Sequence, residues 1–267
     1  MLFLTTAAVA QNTALVTIYN QIPPIPDALV CENAGASRKT IALIDSLSVR
    51  LETMRLHLNE ALKNNGDRTY TAVSAGFPTE EELKKVETLS EAEQQAFWEK
   101  IEAAQIQSEN AIARNTMKYQ AEKETLNYKV ADYHNALLAI SEELSEIYSA
   151  AMKVHSDKRL HIYDTCRDND SLTAYGRQQM TAIDAEFCAA VSPAFLKKLR
   201  FEYSSLKQNI SMHRRLICIE LAEFSTLTEK EVCEQNVALL DLTELELIVQ
   251  CINSYKNVFS VLPQFNR

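Results

Sequence analysis

The chain has 267 residues, a formal net charge of −9 at pH 7 and 46% hydrophobic residues, which is ordinary for a soluble helical protein. It has 4 glycines where an average chain would have roughly 19, and glycine supplies the positive-φ positions of tight turns and phosphate-binding loops. Rossmann, P-loop, sandwich and barrel folds are therefore disfavoured. The acidic charge balance also disfavours nucleic-acid binding, because affinity for phosphates comes from clustered cations.

The N-terminal residues 1–10 are apolar and end in an Ala-x-Ala sequence, which is typical of the second half of a secretory signal. The basic residues that normally precede such a stretch are missing, so we interpret 1–10 as a truncated signal peptide. The alternative is that they begin a buried strand or helix. Residues 11–37 contain three prolines and no helical period, and they are predicted to form an extended lead-in.

Apolar residues recur at steps of three and four from Ile44 to Ala61, which predicts a helix that begins near Arg38. The Asn-Asn-Gly sequence at 64–66 is predicted to end this helix, since glycine readily adopts the left-handed conformation that follows a helix. A loop is predicted over 67–78.

Capping-box sequences at 79–82 and 90–93 predict a short helix over 79–88 and a very long helix from about 91 to 163. No glycine or proline interrupts the long helix, which would reach on the order of 100 Å at 1.5 Å per residue. Its apolar residues keep a seven-residue repeat and predict a coiled-coil seam made of Ile112, Tyr119, Leu126, Val130, Tyr133, Leu137, Ile140, Leu144, Ile147, Ala151 and Val154.

The C-terminal part is also predicted to be helical. Polar residues over 164–171 indicate a turn, and helices are predicted over 172–190, 193–224 and 228–259. Pro193 lies in the first turn of the second of these helices, where a missing N–H costs little. The last helix is apolar on more than one face, which indicates deep burial.

Together these patterns predict an all-α fold with about six helices. We expect an elongated helical bundle built on a long antiparallel coiled-coil helix, with residues 38–267 forming a single domain. A bend of the long helix near 105–116, where polar residues interrupt the apolar spacing, remains an open alternative.

Six cysteines are present, none of them in a Cys-x-x-Cys sequence, which excludes zinc ribbons and thioredoxin-type motifs. If the last two predicted helices form an antiparallel hairpin that turns near 225–227, residues whose numbers sum to about 451 lie opposite each other. Cys218 and Cys233 meet this condition, so we predict a disulfide between them. Cys166 paired with Cys31 or Cys188 is a further possibility.

Two groups of residues are candidate sites. Phe97 and Trp98 lie beside Ile101 near the start of the long helix, and they are either core residues or an exposed aromatic patch for a partner protein. His213 falls on the apolar stripe of its helix, which is typical of a hydrogen-bonded core histidine and is also compatible with a ligand or a pH-sensitive contact.

The sequence patterns of the common enzymes are missing. There is no His-Glu-x-x-His, no Gly-x-Ser-x-Gly, no Gly-x-Gly-x-x-Gly and no Gly-Lys-Ser/Thr, and no histidine follows a glutamate by three positions. We therefore predict no catalytic residue, cofactor or metal ion. The densest titratable group on the long helix is interpreted as a solvated acidic face and consists of Asp132, His134, Glu142, Glu143, Glu146, His155 and His161.

We expect an exported, non-enzymatic helical-bundle protein that binds or tethers another protein in the cell envelope, or that self-associates, through its helical faces. The expected location is secreted or periplasmic, and otherwise cytoplasmic; no transmembrane span is predicted, since no apolar run approaches 18 residues. One alternative is a small-molecule or metal-binding bundle with a pocket near His213 and the Tyr133–His134 region. The other alternative is a cytosolic coiled-coil adaptor whose six thiols are all free.

Overall fold

The structure is a computed structural model that describes residues 20–25, 34–73 and 78–261, with side chains described for all of these except 34–41, 64–73 and 259–261. The proposed signal peptide at 1–10 and most of the lead-in at 11–37 lie outside the described residues.

Six helices and one short hairpin make up the described chain. They are α1 (Ala34–Val73), α2 (Glu80–Val86), α3 (Glu91–Thr165), β1 (Arg167–Asp168), β2 (Ser171–Leu172), α4 (Ala174–Glu223), α5 (Glu229–Gln235) and α6 (Val237–Val261). The prediction of an all-α helical bundle is confirmed. The long helix α3 is continuous over its 75 residues, and no helix among the described residues is both long and apolar enough to span a membrane.

Helix starts follow the capping chemistry that the sequence predicts. Thr79 and Thr228 each accept a hydrogen bond from the backbone N–H three residues later, and the glutamate at that position accepts one from the threonine backbone. At Ser90 the backbone N–H donates to the Glu93 carboxylate at 3.0 Å. Because these contacts satisfy N–H groups that have no partner within the helix, three of the predicted starts lie within a residue of their observed positions.

Three predicted helix boundaries are wrong. Helix α1 continues through Gly66 to Val73, since a helical glycine costs only about 1 kcal/mol and no proline follows before Pro78. Pro193 lies inside α4, so the predicted helices over 172–190 and 193–224 form one helix. The predicted helix over 228–259 is divided between α5 and α6 at Asn236, whose φ of −108° and ψ of 27° are not helical.

The environment of Pro193 explains how α4 passes through it. A proline has no N–H to donate to the carbonyl four residues earlier, and this interruption costs about 3 kcal/mol in a helix interior. The Ser192 hydroxyl donates to the neighbouring Cys188 carbonyl at 2.5 Å, and both Val191 and Ala194 are buried. Burial of the flanking residues therefore offsets the cost of the interruption.

The predicted polar turn between α3 and α4 is a tight β-hairpin. Asn169 and Asp170 have φ angles of 47° and 66°, as a type I′ turn requires at its two central positions. Asparagine and aspartate tolerate this conformation better than other residues with a Cβ atom. Beyond the hairpin, a Cβ atom on Gly176 would lie 2.9 Å from the Cβ atom of Cys166, so glycine permits the close approach of the two segments.

The chain divides into two compact units, and neither is a single stretch of sequence. The first unit contains Met1–Met54, Ala131–Ile210 and Leu245–Arg267, and the second contains Arg55–Val130 and Ser211–Glu244. In the first unit the described part of the lead-in packs on the body, because Ile22 is buried and the Tyr255 hydroxyl donates to the Pro24 carbonyl at 2.9 Å.

The core of the first unit draws on four helices. Its fully buried large side chains come from α1, α4 and α6 and comprise Ile44, Leu47, Leu51, Leu199, Leu245, Ile248, Ile252 and Tyr255. Leu137 of α3 is also buried, and the Tyr133 ring of α3 stacks on the Phe201 ring of α4 at a centroid distance of 5.4 Å. The predicted seam of α3 therefore continues through this unit at Tyr133 and Leu137.

The end of the predicted seam is displaced by one residue. Val154 is 53% exposed, whereas His155 is 3% exposed. An α-helix turns about 100° per residue, so a strict seven-residue repeat drifts by about 20° per heptad, and three heptads beyond Tyr133 the drift is about 60°. The next residue then faces the core, which is why a histidine is buried where the repeat predicts a valine.

Candidate functional site

The second unit holds one face of α3 against α4 and α5. Its hydrophobic cluster joins α3 to α4 and α5 and contains Tyr119, Leu126, Leu216, Ile219, Ala222 and Val232. The predicted disulfide is confirmed in this unit, with the sulfur atoms of Cys218 and Cys233 at bonding distance and their Cα atoms 5.4 Å apart. It links α4 to α5 beside the cluster.

Polar contacts fix α3 in the same position. The Asn115 side-chain amide donates to the carbonyl oxygens of Ala222, Ser225 and Leu227 at 3.3, 3.0 and 3.1 Å, and so caps the C-terminal end of α4. The Thr116 hydroxyl donates to the Glu223 carbonyl at 3.2 Å. Since carbonyl groups at a helix end have no partner within the helix, these contacts determine which side of α3 faces α4.

Two ion pairs extend this packed side. The Lys123 ammonium lies 2.7 Å from the buried carboxylate of Glu223, and the resulting charge-assisted hydrogen bond raises the pKa of Lys123. The Arg215 guanidinium donates to both carboxylate oxygens of Glu122 at 2.8 and 3.1 Å, and this pair lowers the pKa of Glu122. The rotation of α3 about its own axis is therefore fixed.

The opposite side of α3 carries a row of exposed apolar side chains. Ile106 is 52% exposed, Met117 is 81% exposed and Tyr128 is 73% exposed. They are spaced by eleven residues, about three helical turns, so they lie along one line on the helix. Met117 is two residues from the buried Tyr119, and Tyr128 is two residues from the buried Leu126. Two residues correspond to about 200° around the helix, so the exposed and buried side chains lie on opposite sides. We call Ile106, Met117 and Tyr128 the α3 apolar row.

The aromatic patch proposed at the start of α3 lies on a different side of the helix. Trp98 is 48% exposed, whereas Phe97 and Ile101 are half-buried. The Phe97 and Trp98 rings meet edge to face at a centroid distance of 5.4 Å. Trp98 is nineteen residues from Met117, which places it about 100° around the helix from the α3 apolar row.

His213 lies half-buried on α4 in the second unit, and the prominent group is its neighbour Arg214. The Arg214 guanidinium lies 3.0 Å from a carboxylate oxygen of Asp241 and 2.6 Å from one of Glu244. Burial raises the pKa of the fully buried Asp241, an effect that the hydrogen bond from Arg214 opposes. This ion-pair group joins α4 to α6, and no sequence pattern predicts it.

The titratable residues proposed as a solvated face of α3 do not all face solvent. Six of the seven are exposed, and only His155 is buried. The His155 Nε2 atom lies 2.8 Å from a carboxylate oxygen of Asp184, to which Arg159 also donates at 2.7 Å. Within residues 20–25, 34–73 and 78–261, no group of three or more histidine, cysteine or acidic side chains is arranged to hold a metal ion.

A buried polar group lies in the first unit around Glu202. One of its carboxylate oxygens accepts a hydrogen bond from Ser254 at 3.0 Å, and the other has no hydrogen-bond partner among the described residues. Burial raises the pKa of Glu202, and it raises the pKa values of Tyr133 and Cys251 to about 12. The cavity that these three residues line has about 10 Å³, enough for about one water molecule.

This cavity corrects one part of the small-molecule alternative. A pocket was expected near His213 and the Tyr133–His134 region, but Tyr133 lines a space too small for an organic ligand and His213 belongs to the other unit. A larger groove of about 350 Å³ lies between α1 and α6 in the first unit. Its lining is apolar with a polar rim and comprises Ser48, Val49, Leu51, Glu52, Val249, Ile252 and Asn253.

Glu202 leads to a testable pH dependence. Because its pKa is higher in the folded chain than in the unfolded chain, the folded state binds more protons, and its stability falls as pH rises above about 4.5. The Glu202→Gln variant is neutral at every pH. We expect it to be more stable than the wild type at pH 8, with a smaller difference at pH 5, in urea unfolding followed by circular dichroism.

The control for this variant is Glu143→Gln, since Glu143 is half-exposed and pairs with exposed Lys197. That pair lies in high dielectric and contributes little, so the control is expected to change stability by under about 1 kcal/mol at all pH values. A Glu202→Gln variant that is destabilised equally at pH 5 and pH 8 would show that the carboxylate is stabilising in its charged form.

Of the remaining cysteines, Cys31 lies outside the described residues, and the other three are of two kinds. Cys188 is also disulfide-bonded, whereas Cys166 and Cys251 are free thiols. Pairing of Cys166 with another cysteine, considered as one possibility, is therefore wrong; Cys166 lies directly before the hairpin.

Comparisons with known proteins give no relative for this chain. No protein-family model matches it, and no curated protein or solved structure is significantly similar. A proposal of function therefore depends on the residues and contacts described above.

Proposed function

We propose that this protein is a non-enzymatic helical-bundle protein that binds another protein through the α3 apolar row. The observation that carries the proposal is the exposure of Ile106, Met117 and Tyr128 on the side of α3 opposite to its packed side. Exposed apolar residues that are scattered singly are normal, but these three lie along one line of α3, so a single partner helix that runs along α3 can contact all of them.

The residue types agree with this proposal. Methionine and tyrosine are enriched at the centres of protein interfaces, where methionine adapts its shape to a partner and tyrosine provides a large contact area. The packed side of α3 is fixed by Asn115 and by the Lys123–Glu223 pair. The surface is therefore preorganised, and a partner does not have to order it on binding.

The test is site-specific photocrosslinking in the native host. A photoreactive amino acid is placed at Met117 or Tyr128, and at Leu160 or Tyr175, which are exposed apolar residues of the first unit and serve as controls. We expect one protein to crosslink from both row positions and from neither control position.

Binding is then measured with the purified crosslinked protein. Replacement of Met117 and Tyr128 by serine is expected to weaken binding at least about tenfold, since truncation of interface anchors costs more than 1 kcal/mol each. The matched control replaces Leu160 and Tyr175 by serine and should leave the affinity unchanged. Equal affinities for the two variants would contradict the proposal.

We further propose that the protein is exported and acts in the cell envelope. The disulfide between Cys218 and Cys233 supports this location, because disulfides persist in oxidising compartments and are rare in the cytosol. A non-reducing peptide map of the protein from its native host tests the proposal. A peptide that links Cys218 to Cys233, with Cys166 and Cys251 free, is the expected result; six free thiols would favour a cytosolic adaptor.

A second candidate function is the binding of a small aliphatic molecule in the groove between α1 and α6. Its volume of about 350 Å³ lies within the usual range of ligand sites, and its floor is formed by the buried residues Leu51 and Ile252. A thermal-shift screen with short-chain alcohols and fatty acids tests it. The Val249→Trp variant, which fills the groove, should abolish any shift, and a shift that persists in this variant would exclude the site.

A further inference from the structure

The two sides of the α3 apolar row carry charges of opposite sign. Arg114 lies about 60° and Lys118 about 100° from Met117 on one side, and Glu102 and Glu109 lie about 60° and 80° from it on the other side. All four side chains are exposed. In a pair of helices packed along this row, these positions are the flanking positions that determine the choice and orientation of a partner.

Acidic residues also lie on the line of the row, one within it and one beyond its N-terminal end. Glu124 is seven residues from Met117, about 20° from the centre of the row, and Glu99 is eighteen residues away and therefore directly in line. Both are exposed, and within the described part of the chain each accepts a hydrogen bond only from a glutamine four residues earlier on α3. Glu124 lies between Met117 and Tyr128, so any helix that covers the row must also cover this carboxylate.

These charges disfavour a second copy of the chain as the partner. A parallel pair in register would place Glu124 against Glu124 and Glu99 against Glu99 of the other copy. An antiparallel pair centred on Met117 would bring the same side of each helix together, with Arg114 and Lys118 facing Arg114 and Lys118. Like charges that are partly desolvated at an interface cost free energy in either case.

Resting on the function proposed above, we infer that the partner is an amphipathic helix of a different protein, with apolar residues at eleven-residue intervals and a lysine or arginine that faces Glu124. The apolar residues contact Ile106, Met117 and Tyr128, and the cation neutralises the carboxylate within the row. The apolar contacts supply most of the affinity, and the cation supplies the selectivity for this partner.

The probe is a synthetic amphipathic helical peptide of 30 residues. It carries leucines at three positions spaced by eleven, with lysines four residues after the first leucine and four residues before the last, so that one lysine faces Glu124 in either orientation. The control peptide has glutamates in place of these two lysines. Binding of each labelled peptide to the full chain is measured by fluorescence anisotropy.

We expect the lysine peptide to bind about fivefold or more tightly than the glutamate peptide, and the preference to weaken with added salt. The Glu124→Lys variant should reverse the preference, whereas Glu142→Lys, an exposed change in the first unit, should not alter it. Because Glu124 is exposed and lies outside the core, its replacement is not expected to affect folding.

The outcomes separate this inference from the proposed function. Equal binding of both peptides, abolished by replacing Met117 and Tyr128 with serine, would contradict the inference that a cation of the partner faces Glu124. It would still support the docking surface of the proposed function. Binding of neither peptide would overturn the inference, and photocrosslinking from Met117 would then decide the proposed function alone. A concentration-dependent dimer in analytical ultracentrifugation, lost in the serine variant, would overturn the inference in favour of self-association.

Discussion

Replacement of Arg214 by methionine is expected to lower the free energy of unfolding by about 3–5 kcal/mol. The guanidinium contacts Asp241, which is fully buried, and Glu244, which is largely buried. Methionine keeps most of the packing of the arginine stem but removes both charge-assisted hydrogen bonds. Asp241 would then be a buried carboxylate without a counter-charge, and burial already raises its pKa.

Urea unfolding at pH 7 followed by circular dichroism measures this effect. Arg167→Met is the matched control, because Arg167 pairs with the exposed Asp170 and its loss should cost under about 1 kcal/mol. The double variant Arg214→Met, Asp241→Asn should recover part of the lost stability, since it removes the uncompensated charge. If Arg214→Met and Arg167→Met unfold at the same urea concentration, the ion-pair group does not stabilise the second unit.

Loss of the disulfide is expected to have the next largest effect. Cys218 and Cys233 are separated by 15 residues, and in the chain-entropy treatment a loop of this length contributes about 3 kcal/mol by restricting the unfolded chain. The double variant Cys218→Ala, Cys233→Ala should therefore unfold at a lower urea concentration than the wild type. Cys218 is buried and Cys233 is half-buried, and alanine removes only the sulfur atom at each position.

A reductant provides the internal comparison for this variant. Cys188 is also disulfide-bonded, so reduction should destabilise both proteins, but the wild type should lose about 3 kcal/mol more than the double variant. Cys166→Ser, which changes a free thiol near the hairpin, should leave the sensitivity to reductant unchanged. An equal loss of stability in the wild type and the double variant would show that the bridge adds nothing.

The features that the sequence predicts well depend on local chemistry. The capping boxes that begin at Thr79 and Thr228 specify helix starts through contacts within four residues. The absence of glycine and proline specifies the continuity of α3. The pairing of Cys218 with Cys233 follows from the register of two antiparallel segments joined by a short turn, which is also nearly local information.

The features that the sequence did not predict depend on contacts distant along the chain. Helix α4 continues through Pro193 because the neighbouring residues are buried against other segments of the chain. The sequence around the proline does not indicate this burial. His155 replaces Val154 in the core because helical drift accumulates over several turns. The ion-pair partner of Arg214 is 27 residues away on another helix.

The α3 apolar row was missed for a related reason. The seven-residue repeat accounts for the packed side of α3, and it makes no prediction for the apolar residues that lie outside it between 106 and 128. The eleven-residue spacing of Ile106, Met117 and Tyr128 becomes visible only when the packed side is known, because both spacings are compatible with one helix. Exposure in the folded chain is what identifies the row as a surface.

The division of both compact units into separate stretches of sequence determines when each can form during synthesis. The second unit needs Ile219 and Val232 beside Tyr119, about a hundred residues earlier, and the first unit needs Ile248 and Ile252 beside residues of α1. Closing such long loops costs chain entropy, and the contacts that stabilise the core form only after the loops have closed. The second core is therefore completed only after α5 has been synthesised and the first only after α6, and a ribosome-bound fragment that stops within α4 lacks part of each.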